Sequence, residues 1–199
     1  KKILTLAGKL GPKIEIGRVV FTLRRLNNKL MELMEYVFKQ LPVERRKITV
    51  MDYMESFYYY AMSQKEGLAS HDIAMFQYYG ENMTCWYLIR GKKSLPQMVQ
   101  IMETDCGYLP DDKDSVFSKI IPKIFGKKII SSVYLVGEGF EGEWMKQSLR
   151  LLCQGRRAFL GKNLFSKGAC YAAEKQAGLF AWNFSYIGEN HLKLNISLK

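Results

Sequence analysis

Histidine is almost missing from these 199 residues, His71 and His191 being the whole supply. A metal site of the usual kinds would need ligands that the sequence does not cluster, so no catalytic or structural metal is expected. Cysteine is sparse and unpaired. Cys85, Cys106, Cys153 and Cys170 stand far apart, each in or beside an apolar run, which excludes a disulfide framework and predicts buried free thiols. No window approaches the roughly 18 uninterrupted apolar residues of a membrane span, and no internal repeat or low-complexity linker is visible. The chain also opens without Met or a leader, on Lys1-Lys2, and is read as a cytoplasmic piece of something longer.

Apolar residues make up 48% of the chain, enough for one large or two small globular domains. The formal net charge of +11 raises the question of a polyanionic partner. The cations come as scattered pairs such as Arg24-Arg25, Lys92-Lys93 and Arg156-Arg157, mostly at predicted element ends, without interleaved aromatic residues. That pattern reads as solvation and argues against nucleic acid as the partner.

The spacing of Val19, Leu23, Leu26, Leu30, Leu33 and Val37 predicts a helix from about Arg18 to Gln40, ended by Pro42. Ile48 and Val50 mark a short strand, and "MESFYYYAMSQ" about three turns of helix. Strand-like runs from His71 to Tyr79 and from Met83 to Ile89 flank Gly80-Glu81-Asn82 and read as a hairpin. Met98 to Glu103 is a third extended run. Val116, Phe117, Ile120, Ile121 and Ile124 then give one face of a helix that contains Pro122. Ile129 to Val136 reads as a buried strand closing in Gly137-Glu138-Gly139, with a helix starting near Glu141. A small-residue helix covers about Leu164 to Gln176, and Ala181 to Lys199 alternates like a closing hairpin around Gly188-Glu189-Asn190. This order predicts a mixed α/β fold.

Four stretches carry a resemblance: "ESFYYYAMSQ" (Glu55 to Gln64) before the hairpin "DIAMFQYYGENMTCWYL" (Asp72 to Leu88), then "VYLVGEGFEG" (Val133 to Gly142), then "FSKGACYAA" (Phe165 to Ala173). In order and spacing, from about Lys47 to Ala173, they resemble the ATPase fold shared by actin, the seventy-kilodalton heat-shock chaperones, sugar kinases and bacterial actin relatives. The resemblance implies a ribonuclease H-like, actin-type lobe, with residues 1–70 ending a first lobe and its connecting helix and residues 71–199 forming the second. It also implies a vestigial nucleotide site. Gly137, Gly139 and Phe140 match the adenosine turn, Glu55 the carboxylate of the connecting helix, and Gln77 and Gly80 fall in the phosphate hairpin.

The family has Asp where Gln77 stands, and Leu followed by three glycines where Tyr78-Tyr79-Gly80-Glu81 stand. A neutral amide cannot hold hydrated Mg²⁺ through a carboxylate, and two rings with an acid crowd the phosphates. The first phosphate loop is not found either, since Leu6 to Gly11 lacks the Asp. The resemblance therefore implies a non-hydrolysing scaffold or partner-binding domain of a bacterial cytoplasmic protein, with no catalytic residues and no cofactor. Its partner is expected to be another protein or a preceding portion of the same chain. The alternative is a divergent ATPase that binds ATP and Mg²⁺ and whose first phosphate loop lies outside this chain.

Overall fold

The computed structural model describes residues 17–91 and 95–188. The first strand, β1 (Val19–Leu23), is followed by helix α1 (Asn28–Phe38), strand β2 (Ile48–Asp52) and helix α2 (Tyr53–Met62). Next come strands β3 (Asp72–Tyr79), β4 (Asn82–Arg90) and β5 (Gln97–Tyr108), helix α3 (Lys113–Phe125) and strand β6 (Ile130–Val136). Helix α4 (Gln147–Leu152), strand β7 (Arg157–Leu160), helix α5 (Leu164–Gln176) and strand β8 (Phe184–Ile187) complete the order.

The predicted helix from Arg18 to Gln40 is corrected by this order: its first third is a strand. Val19, Val20, Phe21 and Thr22 are β-branched or aromatic, and their stiff χ1 favours extended backbone over a helical turn. The helix starts only after Asn27, whose side chain accepts a hydrogen bond from the Leu30 amide at 2.8 Å. β1 and β2 pair in parallel as a two-stranded sheet, with Val19, Phe21 and Leu23 packed on Met34 and Phe38 of α1.

The larger sheet has the strand order β7-β6-β3-β4-β5-β8. β3, β4 and β5 form an antiparallel meander, β6 and β7 lie parallel to β3, and β8 lies parallel to β5. Strand alternation sends Ile73 and Met75 to one face and Ala74, Phe76 and Tyr78 to the other, so both faces are apolar and both are covered. The first face packs on α2 and α5. The second packs on Phe117, Ile121 and Phe125 of α3 and Leu152 of α4. Pro122 sits inside α3, whose C-cap Gly126 follows one turn later.

Other expectations are refined. The helix expected from near Glu141 begins at Gln147, after a single 3₁₀ turn at Glu138–Phe140. Asp114 fixes that start by accepting hydrogen bonds from the amides of Lys146 (2.9 Å), Gln147 (2.7 Å) and Ser148 (2.9 Å), and from the Ser148 hydroxyl. β7 corresponds to no element that the sequence pattern predicts. The expected closing hairpin keeps its first arm as β8, which pairs with β5, while its second arm lies outside the described residues, as does the stretch Leu6 to Gly11. Of the cysteines only Cys85 is buried; Cys153 and Cys170 are exposed because they fall on outward positions beside apolar neighbours.

The two helices that follow β2 and β7 meet closely. A Cβ placed on Gly168 of α5 would lie 2.6 Å from Ser56 Oγ of α2 and closer still to the Ser56 carbonyl oxygen. Ser56 is fully buried and donates to the Phe165 carbonyl at 2.5 Å. The tyrosine triplet lies beside this contact and not within it. Tyr58 stacks on Tyr186 at 5.2 Å and accepts from Trp182 Nε1 at 2.6 Å, while Tyr60 meets Tyr134 edge-on at 5.4 Å.

Candidate functional site

The C-terminal ends of the parallel strands are where open α/β sheets keep ligands, and a cavity of about 570 Å³ lies there. Its floor is Val136 and Leu160, its sides the turns after β6 and β7, and its far wall Tyr53 and Thr22 from α2 and β1. Gly161, Lys162 and Asn163 form the second turn. The Gly161 amide donates to the Leu135 carbonyl at 2.7 Å, and Asn163 takes a left-handed conformation (φ 54°) that swings the chain into α5. Lys162 is exposed and Ser166 stands in the first turn of α5.

Of the residues singled out by sequence, Gly137 and Phe140 line this cavity. Their glycine turn is not vacant space awaiting a ligand, however. Gly137 has φ 117°, and a Cβ there would stand 2.8 Å from the Tyr78 carbonyl carbon. A Cβ on Gly139 would stand 2.7 Å from Tyr78 Cε1. Both glycines are therefore needed so that β3 and its Tyr78 ring can press against the turn. Phe140 is buried against Tyr78 and Trp144, and Trp144 Nε1 donates to the Gly139 carbonyl at 3.0 Å.

Gly80, at the tip of the β3–β4 hairpin, belongs to the same corner. Its amide donates to Glu138 Oε1 at 3.2 Å. A backbone N–H of the kind that holds anions is thus already answered by a carboxylate of this chain. Nothing in the local sequence announces this pairing, because the two residues lie 58 positions apart.

Gln77 and Glu55 are not brought to that cavity. Gln77 is buried on the α2/α5 face of the sheet and lines a second cavity of about 400 Å³, with Thr84, Glu103, Asp52, Arg24 and Arg25. Arg25 and Glu103 pair across it at 3.3 Å. Glu55 lies in the first turn of α2, where Asp52 caps its amide at 2.7 Å. Burial, then the Asp52 carboxylate, push the Glu55 carboxyl up to about 7, with Lys175 opposing. It lines neither cavity. Among the described residues no group of three or more His, Cys, Asp or Glu is placed to hold a metal ion, and no helix is long and apolar enough to cross a membrane.

The fold and this corner together describe a mixed α/β domain with a packed glycine turn at the C-terminal end of its parallel strands. The chain belongs to the family described as "Family of unknown function (DUF5716) C-terminal", whose model matches residues 1–189. No curated protein matches it.

Proposed function

We propose that this chain is a non-hydrolysing, actin-type scaffold or partner-docking module of a bacterial cytoplasmic protein, built on a ribonuclease H-like sheet. Support for the fold comes from the run β5-β4-β3-β6-β7, antiparallel through the first three strands and parallel through the last two, and from the close pairing of α2 with α5. The observation that carries the functional reading is the Glu138 carboxylate on the Gly80 amide. A phosphate at this hairpin would have to displace that carboxylate or sit beside it. Two unit charges about 4 Å apart repel by about 4 kcal/mol at an effective dielectric near 20, which is roughly three orders of magnitude in affinity. Gln77 adds no carboxylate for Mg²⁺, and Tyr78 fills the room that the two glycines free.

The expected partner is another protein or a preceding portion of the same polypeptide. The two-stranded sheet favours the second. β1 has helices on both faces yet every one of its five residues is only half-buried, whereas β2 keeps Ile48 and Met51 buried. Parallel strands covered on both faces are normally interior strands, so the outer edge of β1 suits a further strand. The competing reading, a divergent ATPase completed by a phosphate loop elsewhere, draws on the 570 Å³ cavity and its Lys162.

Calorimetric titration of ATP with Mg²⁺ separates them. The unmodified chain is expected to show no saturable binding. Micromolar binding by the unmodified chain would overturn the proposal and favour the ATPase.

A further inference from the structure

Six cations and no carboxylate occur between Trp144 and Ala173: Lys146, Arg150, Arg156, Arg157, Lys162 and Lys167. This segment is the outer margin of the large sheet, comprising α4, β7 and the start of α5. Five of the six side chains are exposed, Arg156 being half-buried over the Phe125 ring, and none forms an ion pair among the described residues. These six charges stand against a formal net charge of +11 for the whole chain.

β7 is also an edge strand, paired only with β6 among the described strands. Because the Gly161 amide points to Leu135 of β6, alternation turns the peptide groups of Ala158 outward. Beside that edge runs a groove of about 390 Å³ with Phe140 and Met145 in its lining, bordered by Leu149 (43% exposed) and Leu160 (59% exposed). An unpaired backbone edge, a largely apolar groove beside it whose lining carries Lys146 and Glu143, and five further cations on α4, β7, α5 and the turns between them are the three parts of a strand-addition site. The cations repel a second copy of the same edge and attract a strand of opposite charge.

We propose that the β7 edge and its groove dock an extended, acidic segment of a protein partner, whose backbone pairs with Ala158 and whose apolar side chains enter the groove. The inference rests on the partner-docking reading and names the chemistry of the partner. Phe140 borders both the groove and the glycine corner, but the variants tested replace only Arg150, Arg157 and Ala158, so a failed peptide experiment leaves the ATP result standing, and the reverse.

The probe is a fluorescein-labelled peptide, Glu-Glu-Val-Thr-Leu-Thr-Val-Glu-Glu, followed by anisotropy against its counterpart with Lys for every Glu. Saturable binding of the acidic peptide alone is expected. It should weaken about tenfold in Arg150→Glu/Arg157→Glu and by a similar factor in Ala158→Pro, which removes the outward amide. Circular dichroism reports whether each variant is folded, and the charge-reversal pair, confined to exposed side chains, keeps the test meaningful if the proline variant is not. No saturable binding up to about 1 mM peptide would overturn the proposal. So would equal binding of the Lys peptide, or binding indifferent to the charge reversal. Tighter binding of a single-stranded oligonucleotide, lost in the same charge-reversal variant, would reassign the surface to nucleic acid.

Discussion

Replacing Gly168 by Ala sets two opposed effects against each other at one atom. In the interior of α5, Ala is the better helix former by about 1 kcal/mol, so an isolated helix would gain stability. The added Cβ would stand 2.6 Å from Ser56 Oγ and nearer still to the Ser56 carbonyl oxygen, which is backbone of α2 and cannot rotate away. Overpacking of this kind costs about 1–3 kcal/mol and sometimes more. Separating the helices also lengthens the 2.5 Å hydrogen bond from Ser56 to the Phe165 carbonyl, worth about 1 kcal/mol. The packing terms outweigh the propensity term, and a net loss of about 1–3 kcal/mol is expected, or roughly 3–10 °C in Tm for a domain of this size. Differential scanning calorimetry of both proteins measures it. Adding Ser56→Ala should not rescue the variant, because the carbonyl remains. A Tm equal to or above that of the parent would refute the close approach of the two helices.

The raised carboxyl of Glu55 predicts a pH dependence. Its folded value of about 7 lies above the ordinary 4.5, so between those values the folded state holds a proton that the unfolded state lacks. Stability should therefore fall as pH rises from about 4.5 to 7, and Glu55→Gln should flatten that slope in urea titrations at pH 5 and pH 8; an unchanged slope would count against burial of the group. Asp114→Ala removes the acceptor for three amides at the start of α4 and should destabilise by about 1–2 kcal/mol, read from the urea midpoint. Asp114→Asn should recover part of the loss, since its amide oxygen can still accept.

Much of the fold is written in local pattern. The β3–β4 hairpin follows from two apolar runs around Gly80-Glu81, and the small-residue helix is bounded as the spacing of Leu164, Gly168 and Ala172 indicates. Local pattern fails where two periods coincide. Val19, Leu23, Leu26 and Leu30 satisfy helical spacing, but the β-branched content of the first turn decides otherwise. It fails again at β7, where four residues after Arg156 are too few to show alternation. The candidate corner was half legible: the glycines at 137 and 139 were visible, but what they accommodate was not. Tyr78 and Gly80 reach them from β3 and its turn, some 58 residues away, and only the folded sheet brings a ring and an amide against that turn.

The two-stranded sheet of β1 and β2 is tied to the C-terminal end of α5 by Gln176. Arg18, at the start of the described chain, donates to the Gln176 carbonyl at 3.1 Å, and the Thr49 hydroxyl donates to Gln176 Oε1 at 2.9 Å. These contacts join residues 158 and 127 positions apart. During synthesis, β1, α1 and β2 must therefore wait for α5 to emerge before Gln176 can secure them. Shortening the chain within α5 should release this unit while the meander of β3, β4 and β5 keeps its own local pairing.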